Sequence, residues 1–270
     1  MSERRPFEIA RSFLFVPGHR PERFAKAAAS DAHQIIIDLE DAVGPAEKVA
    51  ARGHVVEWLT QRGTGLVRIN AADTRWFEDD IRALADIPNL VLVLPKAEPD
   101  AVHSLATLAP KVQIIALVET VAGLLRLGPL ARMRPVRRIA FGHLDFGADA
   151  RIPGTGGVLD MVRFQIALHA RDADLPMPID GVTVELTDEA VIAADVARGR
   201  ELGFGAKLCI HPKQVETVNR GFAPSETERD WAARVIAALE AAGGAAVQVD
   251  GKMIDKPMMT RAAAILAEAA

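Results

Sequence analysis

Eight short runs of β-branched and other apolar residues constrain this chain more than any other feature. They are SFLFV (12–16), QIIID (34–38), LVRI (66–69), LVLVL (90–94), QIIALV (113–118), RIAF (138–141), GVTVE (181–185) and KLCI (207–210). Most are continuously apolar, not alternating. A strand that is apolar on both faces must be covered on both, as in a parallel sheet flanked by helices. Helix-like stretches lie between them, among them ERFAKAAAS, AEKVAARGHVVEWLTQ, WFEDDIRALAD and DEAVIAADVARGRELG. Eight β/α repeats in roughly 220 residues predict a (β/α)8 or TIM barrel. The rival is an open doubly wound sheet. It usually has fewer strands and often a glycine-rich first turn, which is missing here. The predicted barrel occupies 1–222. A C-terminal extension over 223–270 carries the helix SETERDWAARVIAALEAA, a short VQVDGKMID segment and the last helix KPMMTRAAAILAEAA.

Composition narrows the function. The formal net charge is −4, so no basic excess points to nucleic acid or to an anionic membrane surface. Cys209 is the single cysteine, which excludes an intrachain disulfide and a cysteine-cluster zinc site. The opening MSERRPFEIA lacks the apolar core of a signal peptide, and no long uncharged apolar run follows. The expectation is a cytoplasmic protein. There is no tyrosine, so a general acid or base must be Asp, Glu, His, Lys or Cys.

In a TIM barrel the active site lies at the carboxyl ends of the strands, and here those ends are polar. The first predicted strand ends in Pro17-Gly18-His19-Arg20 and the second in Asp38-Leu39-Glu40-Asp41. The third ends in Arg68-Ile69-Asn70, the fourth in Pro95-Lys96 and the fifth in Glu119-Thr120. The sixth ends in Gly142-His143-Leu144-Asp145, the seventh in Glu185 and the eighth in His211-Pro212. Carboxylates that collect past a buried strand repel one another unless a cation, or cationic side chains, offsets them.

Glu119 and Asp145 follow adjacent strands. Oxygen ligands without a cysteine or a histidine pair suit Mg²⁺ or Mn²⁺. The alternative is structural, with Glu119 in the first turn of a helix and Asp145 capping a turn. Arg68 has two compatible readings. Its planar fork suits a substrate carboxylate, and it also suits an ion pair with Asp38 or Glu40. Arg20, Arg23 and Lys26, near the first helix, are either a phosphate-binding group or a solvated basic face. Cys209 reads as a core residue and His211 as a loop-ordering one. Lys96 is a candidate Schiff-base lysine.

Taken together, RSFLFVPGHRPERFAKA (11–27), IIIDLEDAV (35–43), VRIN (67–70), LPK (94–96), LVET (117–120), FGHLDFGAD (141–149), GFGAKLCIHPKQV (203–215) and DGKMIDKP (250–257) resemble the citrate lyase β-subunit-like family, within the HpcH/HpaI aldolase group. They run in the family order from end to end. The resemblance implies a TIM barrel, a divalent metal and lyase chemistry on a β-hydroxyacyl thioester. It implies that Glu119 and Asp145 are Mg²⁺ ligands and that Arg68 binds the substrate carboxylate. Asp38 and Glu40 match the acidic cluster around them, and Gly142 lies against substrate. DGKMIDKP resembles a lid that reaches a neighbouring subunit's active site, with Asp255 as its acid/base residue. A homo-oligomer, trimer or hexamer, is implied. His19 and His143 depart from the family pattern.

The implied reaction is a retro-Claisen cleavage of citramalyl-CoA or malyl-CoA to acetyl-CoA and an α-keto acid. A raised pKa is expected for Asp255, supplied by an apolar lid of Met253, Ile254 and Met258. The scheme needs no Schiff base, so Lys96 returns to a structural or electrostatic role. The alternatives are a malyl-CoA thioesterase, a citryl-carrier lyase subunit and a metal-dependent aldolase on free keto acids.

Overall fold

The computed structural model describes residues 5–61, 63–242 and 246–269. Among them, strands β1 (Ser12–Pro17), β2 (Gln34–Asp38), β3 (Leu66–Arg68), β4 (Val91–Leu94), β5 (Gln113–Val118), β6 (Val136–Phe141), β7 (Ile179–Asp180) and β8 (Ala206–Cys209) close in chain order into a parallel barrel. The closing pair joins the ends of that order, with Phe13 opposite Leu208 and Leu14 opposite Cys209. Around the barrel run α1 (Phe24–Ala28), α2 (Lys48–Thr60), α3 (Phe77–Leu84), α4 (Pro99–Leu108), α5 (Val121–Leu125) and α6 (Leu127–Ala131). They are followed by α7 (His143–Ala150), α8 (Gly157–Asp172), α9 (Glu189–Glu201) and α10 (Val215–Phe222). The TIM barrel expected from the apolar runs is present.

The interior is filled by alternate residues of the strands, including Phe13, Ile36, Leu66, Val93, Ile115, Leu117, Ile179 and Leu208. Their neighbours Ile35 and Ile37 are also fully buried, because successive strand side chains point to opposite faces and helices cover the outer one. Each such side chain contributes about 1.5–3 kcal/mol when removed from water. At the amino end, Arg138 of β6 is buried inside the barrel. Its Nη1 donates to Phe7 O at 2.6 Å and Ala10 O at 2.9 Å, and its Nε donates to Met177 O at 2.8 Å.

One strand differs from expectation. The seventh is Ile179–Asp180, and GVTVE (181–185) is the loop beyond it. Gly181 marks the exit. A Cβ there would lie 2.1 Å from His143 Nδ1 and 2.9 Å from Phe141 O. Asp180 faces outward, accepting from Arg163 Nε at 2.8 Å and Lys207 Nζ at 3.1 Å. Glu185 is half-buried and accepts from Thr187 N and Asp188 N, so it shapes the turn into α9 and does not end a strand.

The chain divides into two compact units, one running to Asn219 and the other from Arg220. The second contains α11 (Glu226–Ala241), a hairpin of β9 (Val247–Val249) and β10 (Lys252–Ile254), and α12 (Lys256–Ala269). Ser225 and Glu228 form a capping box at the start of α11. Asp250 (φ 51°) and Gly251 (φ 76°) make the hairpin turn, the left-handed pair that a two-residue turn requires. Ala232, Val235, Leu239, Ile254 and Ala262 form this unit's own core. No described helix is long and apolar enough to cross a membrane.

Candidate active site

The opening between the strand ends is built around Arg68. It ends β3 directly beside Asp38, the last residue of β2. Its Nε donates to Asp38 Oδ1 at 2.7 Å and its Nη2 to Oδ2 at 2.8 Å, a two-pronged pairing that lysine cannot make. Nη1 donates to Asp41 Oδ2 at 3.2 Å. The guanidinium lies 4.8 Å over the Phe15 ring. Asp38 is itself fixed by the turn that follows it, accepting from Glu40 N at 2.9 Å and Ala42 N at 3.0 Å. Burial alone pushes Asp38 up, but Arg68 outweighs it and holds the carboxyl below its ordinary value.

Glu40 is treated differently. Its Oε2 lies 2.9 Å from Arg68 Nη1, yet this buried oxygen accepts no hydrogen bond. Burial pushes Glu40 up to about 8, against the pull of Arg68 and with the repulsion of Glu119, Asp41 and Asp38. Lys48 of α2 secures the turn, with Nζ 2.7 Å from both Leu39 O and Glu40 O and 5.2 Å over the Trp76 ring.

Glu119 follows β5 and is buried. Lys96 N donates to its Oε1 at 2.8 Å. A Cβ on Gly142 would lie 2.5 Å from its Oε2, so only glycine leaves this rotamer room. Burial pushes Glu119 up to about 7, with the Lys96 N–H and Arg68 opposing and Asp145 and Asp41 adding repulsion. Asp145 sits in the first turn of α7. Its pKa is raised by burial and then by Asp41, against Arg68 and Lys96. Asp149 Oδ2 accepts from Val121 N at 2.7 Å, which ties α7 to the start of α5 and fixes Asp145 relative to Glu119.

Five carboxylates (Asp38, Glu40, Asp41, Glu119, Asp145) thus interact with three cationic side chains, Arg68, Lys48 and Lys96. Fully ionised, the five would outnumber the three cations by two, and it is this crowding, with burial, that makes Glu40 and Glu119 hold their protons. Among the described residues no three His, Cys, Asp or Glu side chains converge as a complete metal cage. That is compatible with magnesium, which takes one or two carboxylates and completes its shell with water and substrate oxygens. The orphaned Glu40 oxygen and the raised Glu119 and Asp145 would all be stabilised by a nearby cation, so the donor set fits magnesium.

The remaining predicted residues divide. Asn70 turns away, donating to Asp80 Oδ2 at 2.6 Å. Arg20 pairs with Glu22 at 2.6 Å on the surface, while Arg23 and Lys26 are exposed. Cys209 is buried and its thiol is pushed up to about 12 by burial, which makes it inert. His211 caps the short turn Pro212–Gln214, its Nδ1 accepting from Lys213 N. Asp255 belongs to the second unit and is exposed immediately before α12. In the segment expected to form a lid, Ile254 is buried in that unit's own core while Met253 is 79% exposed, so the pair does not form one apolar cover. Lys48 and Phe15 were not singled out from sequence. A lysine on a helix face carries no signal apart from its distance past the acidic turn.

The HpcH/HpaI aldolase/citrate lyase family model matches residues 11–212. A citrate lyase subunit beta-like protein of Mycobacterium tuberculosis is 35% identical, the alignment covering 95% of this chain and 94% of that one. A (3S)-malyl-CoA thioesterase of Cereibacter sphaeroides is 34% identical over 96% and 94%. The crystal structure of CitE from Mycobacterium tuberculosis in complex with magnesium, acetoacetate and coenzyme A is similar over 97% of this chain and 98% of that one, at 33% identity and a TM-score of 0.85. The same organism's citrate lyase beta subunit complexed with oxaloacetate and magnesium covers 80% of this chain and 99% of its own, at 32% identity and a TM-score of 0.72. Motifs, barrel and relatives agree, and this chain belongs to the HpcH/HpaI aldolase/citrate lyase family.

Proposed function

We propose that the chain is a magnesium-dependent carbon–carbon lyase that cleaves a 3-hydroxyacyl-CoA to acetyl-CoA and an α-keto acid. The observation that carries this reading is the crowded carboxylate cluster around Arg68 at the strand ends, with Glu119 and Asp145 raised beside it. Glu119 and Asp145 are the residues that hold the cation. When bound, Mg²⁺ (or Mn²⁺) supplies Lewis-acid stabilisation of developing negative charge on the substrate oxygens.

The chain's own residues do the rest. Asp38 and Glu40 orient Arg68, and Arg68 faces the keto-acid carboxylate, with Asp41, 67% exposed at its side chain, as the ligand that yields. Holding the substrate in one orientation lowers the entropic part of the barrier. The hydroxyl proton passes to water as the C2–C3 bond breaks and the C3 oxygen becomes the keto acid's carbonyl. The electron pair of that bond becomes the enolate of acetyl-CoA, which Asp255 protonates at carbon. Asp255 is supplied by the C-terminal segment of a neighbouring subunit in a trimer or hexamer. Arg20 and Lys26 meet the CoA phosphates, and Gly142 keeps the floor of the pocket open. Citramalyl-CoA is the favoured substrate, with malyl-CoA the competitor that differs by one methyl. The cytoplasm is the proposed location.

A second reading is a malyl-CoA thioesterase on the same site, favoured by the relative of that name. Purified protein incubated with each thioester, with Mg²⁺ or with EDTA, separates them. Metal-dependent keto acid without free CoA is the lyase result. Free CoA without keto acid identifies the thioesterase and overturns the proposal. Asp255→Ala is expected to lower turnover by about 10²-fold or more, the scale of a lost acid/base group, while Mg²⁺ binding persists.

A further inference from the structure

Lys96 occupies a backbone conformation that lysine disfavours, with φ of +45°. The other positive-φ non-glycine residues have ordinary reasons. Arg151 caps the end of α7, Asp250 lies in the hairpin turn, and Asn89 and Asp174 are residue types that tolerate the region. Lys96 instead follows Pro95 at the carboxyl end of β4, where a turn of this shape ordinarily takes glycine. Its side chain does not explain the conformation, because it is 47% exposed and its ammonium only approaches the exposed Asp73, at 3.8 Å. The main chain does. The left-handed turn aims Lys96 N–H at Glu119 Oε1, 2.8 Å away. The next residue returns to the sheet, with Ala97 N donating to Leu117 O at 3.0 Å. On its other side Glu119 is confined by Gly142. Local strain of this kind persists where surrounding structure enforces it, and it concentrates at functional sites.

We infer that Lys96 is a positioning residue that acts through its backbone, its left-handed turn holding the Glu119 carboxylate in the one rotamer that presents it to the cation. The role of Glu119 toward a cation rests on the function proposed above. The lysine side chain is dispensable for this task and the conformation is not.

Two substitutions separate these. Lys96→Gly removes the ammonium and relaxes the strain. Lys96→Ile removes the ammonium and opposes φ > 0, since β-branched residues resist that region. Mn²⁺ titration followed by electron paramagnetic resonance gives affinity without any assay of turnover. Lys96→Gly is expected to bind within about threefold of wild type and Lys96→Ile about tenfold or more weakly, the scale of losing a group that orients a ligand. Equal loss in both variants assigns the role to the ammonium and overturns the inference, as does wild-type affinity in both. If wild-type protein binds no Mn²⁺, the metal reading fails separately. The crystal structures of the two variants then decide the inference. It stands if Glu119 keeps its contact with residue 96 in Lys96→Gly and leaves it in Lys96→Ile, and it falls if the two are alike.

Discussion

Arg68 gives most of its donors to carboxylates of its own chain. Losing that partner leaves Asp38 buried and unpaired, so Arg68→Ala is expected to destabilise by about 3–5 kcal/mol, read by urea unfolding. Arg68→Lys keeps the charge but not the fork and is expected to fall between that variant and wild type. Gly142→Ala brings a methyl to 2.5 Å from Glu119 Oε2. Its cost in stability is about 1–3 kcal/mol, and Mn²⁺ affinity is expected to fall with it. Wild-type affinity in Gly142→Ala would mean that Glu119 relaxes freely. His143 is held neutral because burial, then Arg163, lowers its pKa to about 4 from the ordinary 6.5. The unfolded chain takes up that proton first, so the stability His143 contributes is present above pH 6.5 and is lost as pH falls through 4. Over that window wild type is expected to lose up to about 2–3 kcal/mol more than His143→Asn, by thermal unfolding at a series of pH values. The positions of Asp38, Arg68 and Glu119 at the barrel opening were legible because each stands directly after an apolar run, and that of Asp145 because it follows the sixth run by one turn. Lys48 was not, because its contacts are to backbone oxygens that no sequence pattern announces.

The helices and strands show where local pattern fails. Ser225→Ala removes a hydroxyl that accepts from Glu228 N at 3.2 Å and breaks the capping box of α11. The expected loss is about 1 kcal/mol, measured by denaturant unfolding, and an unchanged midpoint would remove the cap from the account of this helix. Continuous apolar runs located β1, β2, β4 and β5 closely, since burial on both faces leaves no polar position to confuse the reading. β7 was misplaced because GVTVE alternates like a half-buried strand, whereas the true strand is only Ile179–Asp180. Asp180 is a buried charge paired with Arg163 and Lys207, partners distant in sequence. The β9–β10 hairpin had a readable signal in Asp250-Gly251, which marks a two-residue turn.

At the scale of the whole molecule the acidic opening couples charge to stability. Burial holds the proton on Glu40 up to about 8 in the folded chain, against an ordinary value of 4.5. Between those values the folded state holds the extra proton, so the stability it contributes is lost as pH rises through about 8. Metal-free protein is expected to show a falling melting temperature from pH 7 to 8, and added Mg²⁺ is expected to flatten that slope. An equal slope with and without Mg²⁺ would separate the cluster from cation binding. The other end of the barrel bears on a different matter, the order in which the molecule can be made. Arg138 grips carbonyls at Phe7 and Ala10, 131 and 128 residues earlier in the chain, and β1 pairs with β8. Contacts so remote slow folding, because a long loop must close before they form. A chain emerging from the ribosome holds its first strand without a closing partner until the eighth has been synthesised. Until then the edge of β1 that later pairs with β8 is open to any other strand, including that of a neighbouring nascent copy.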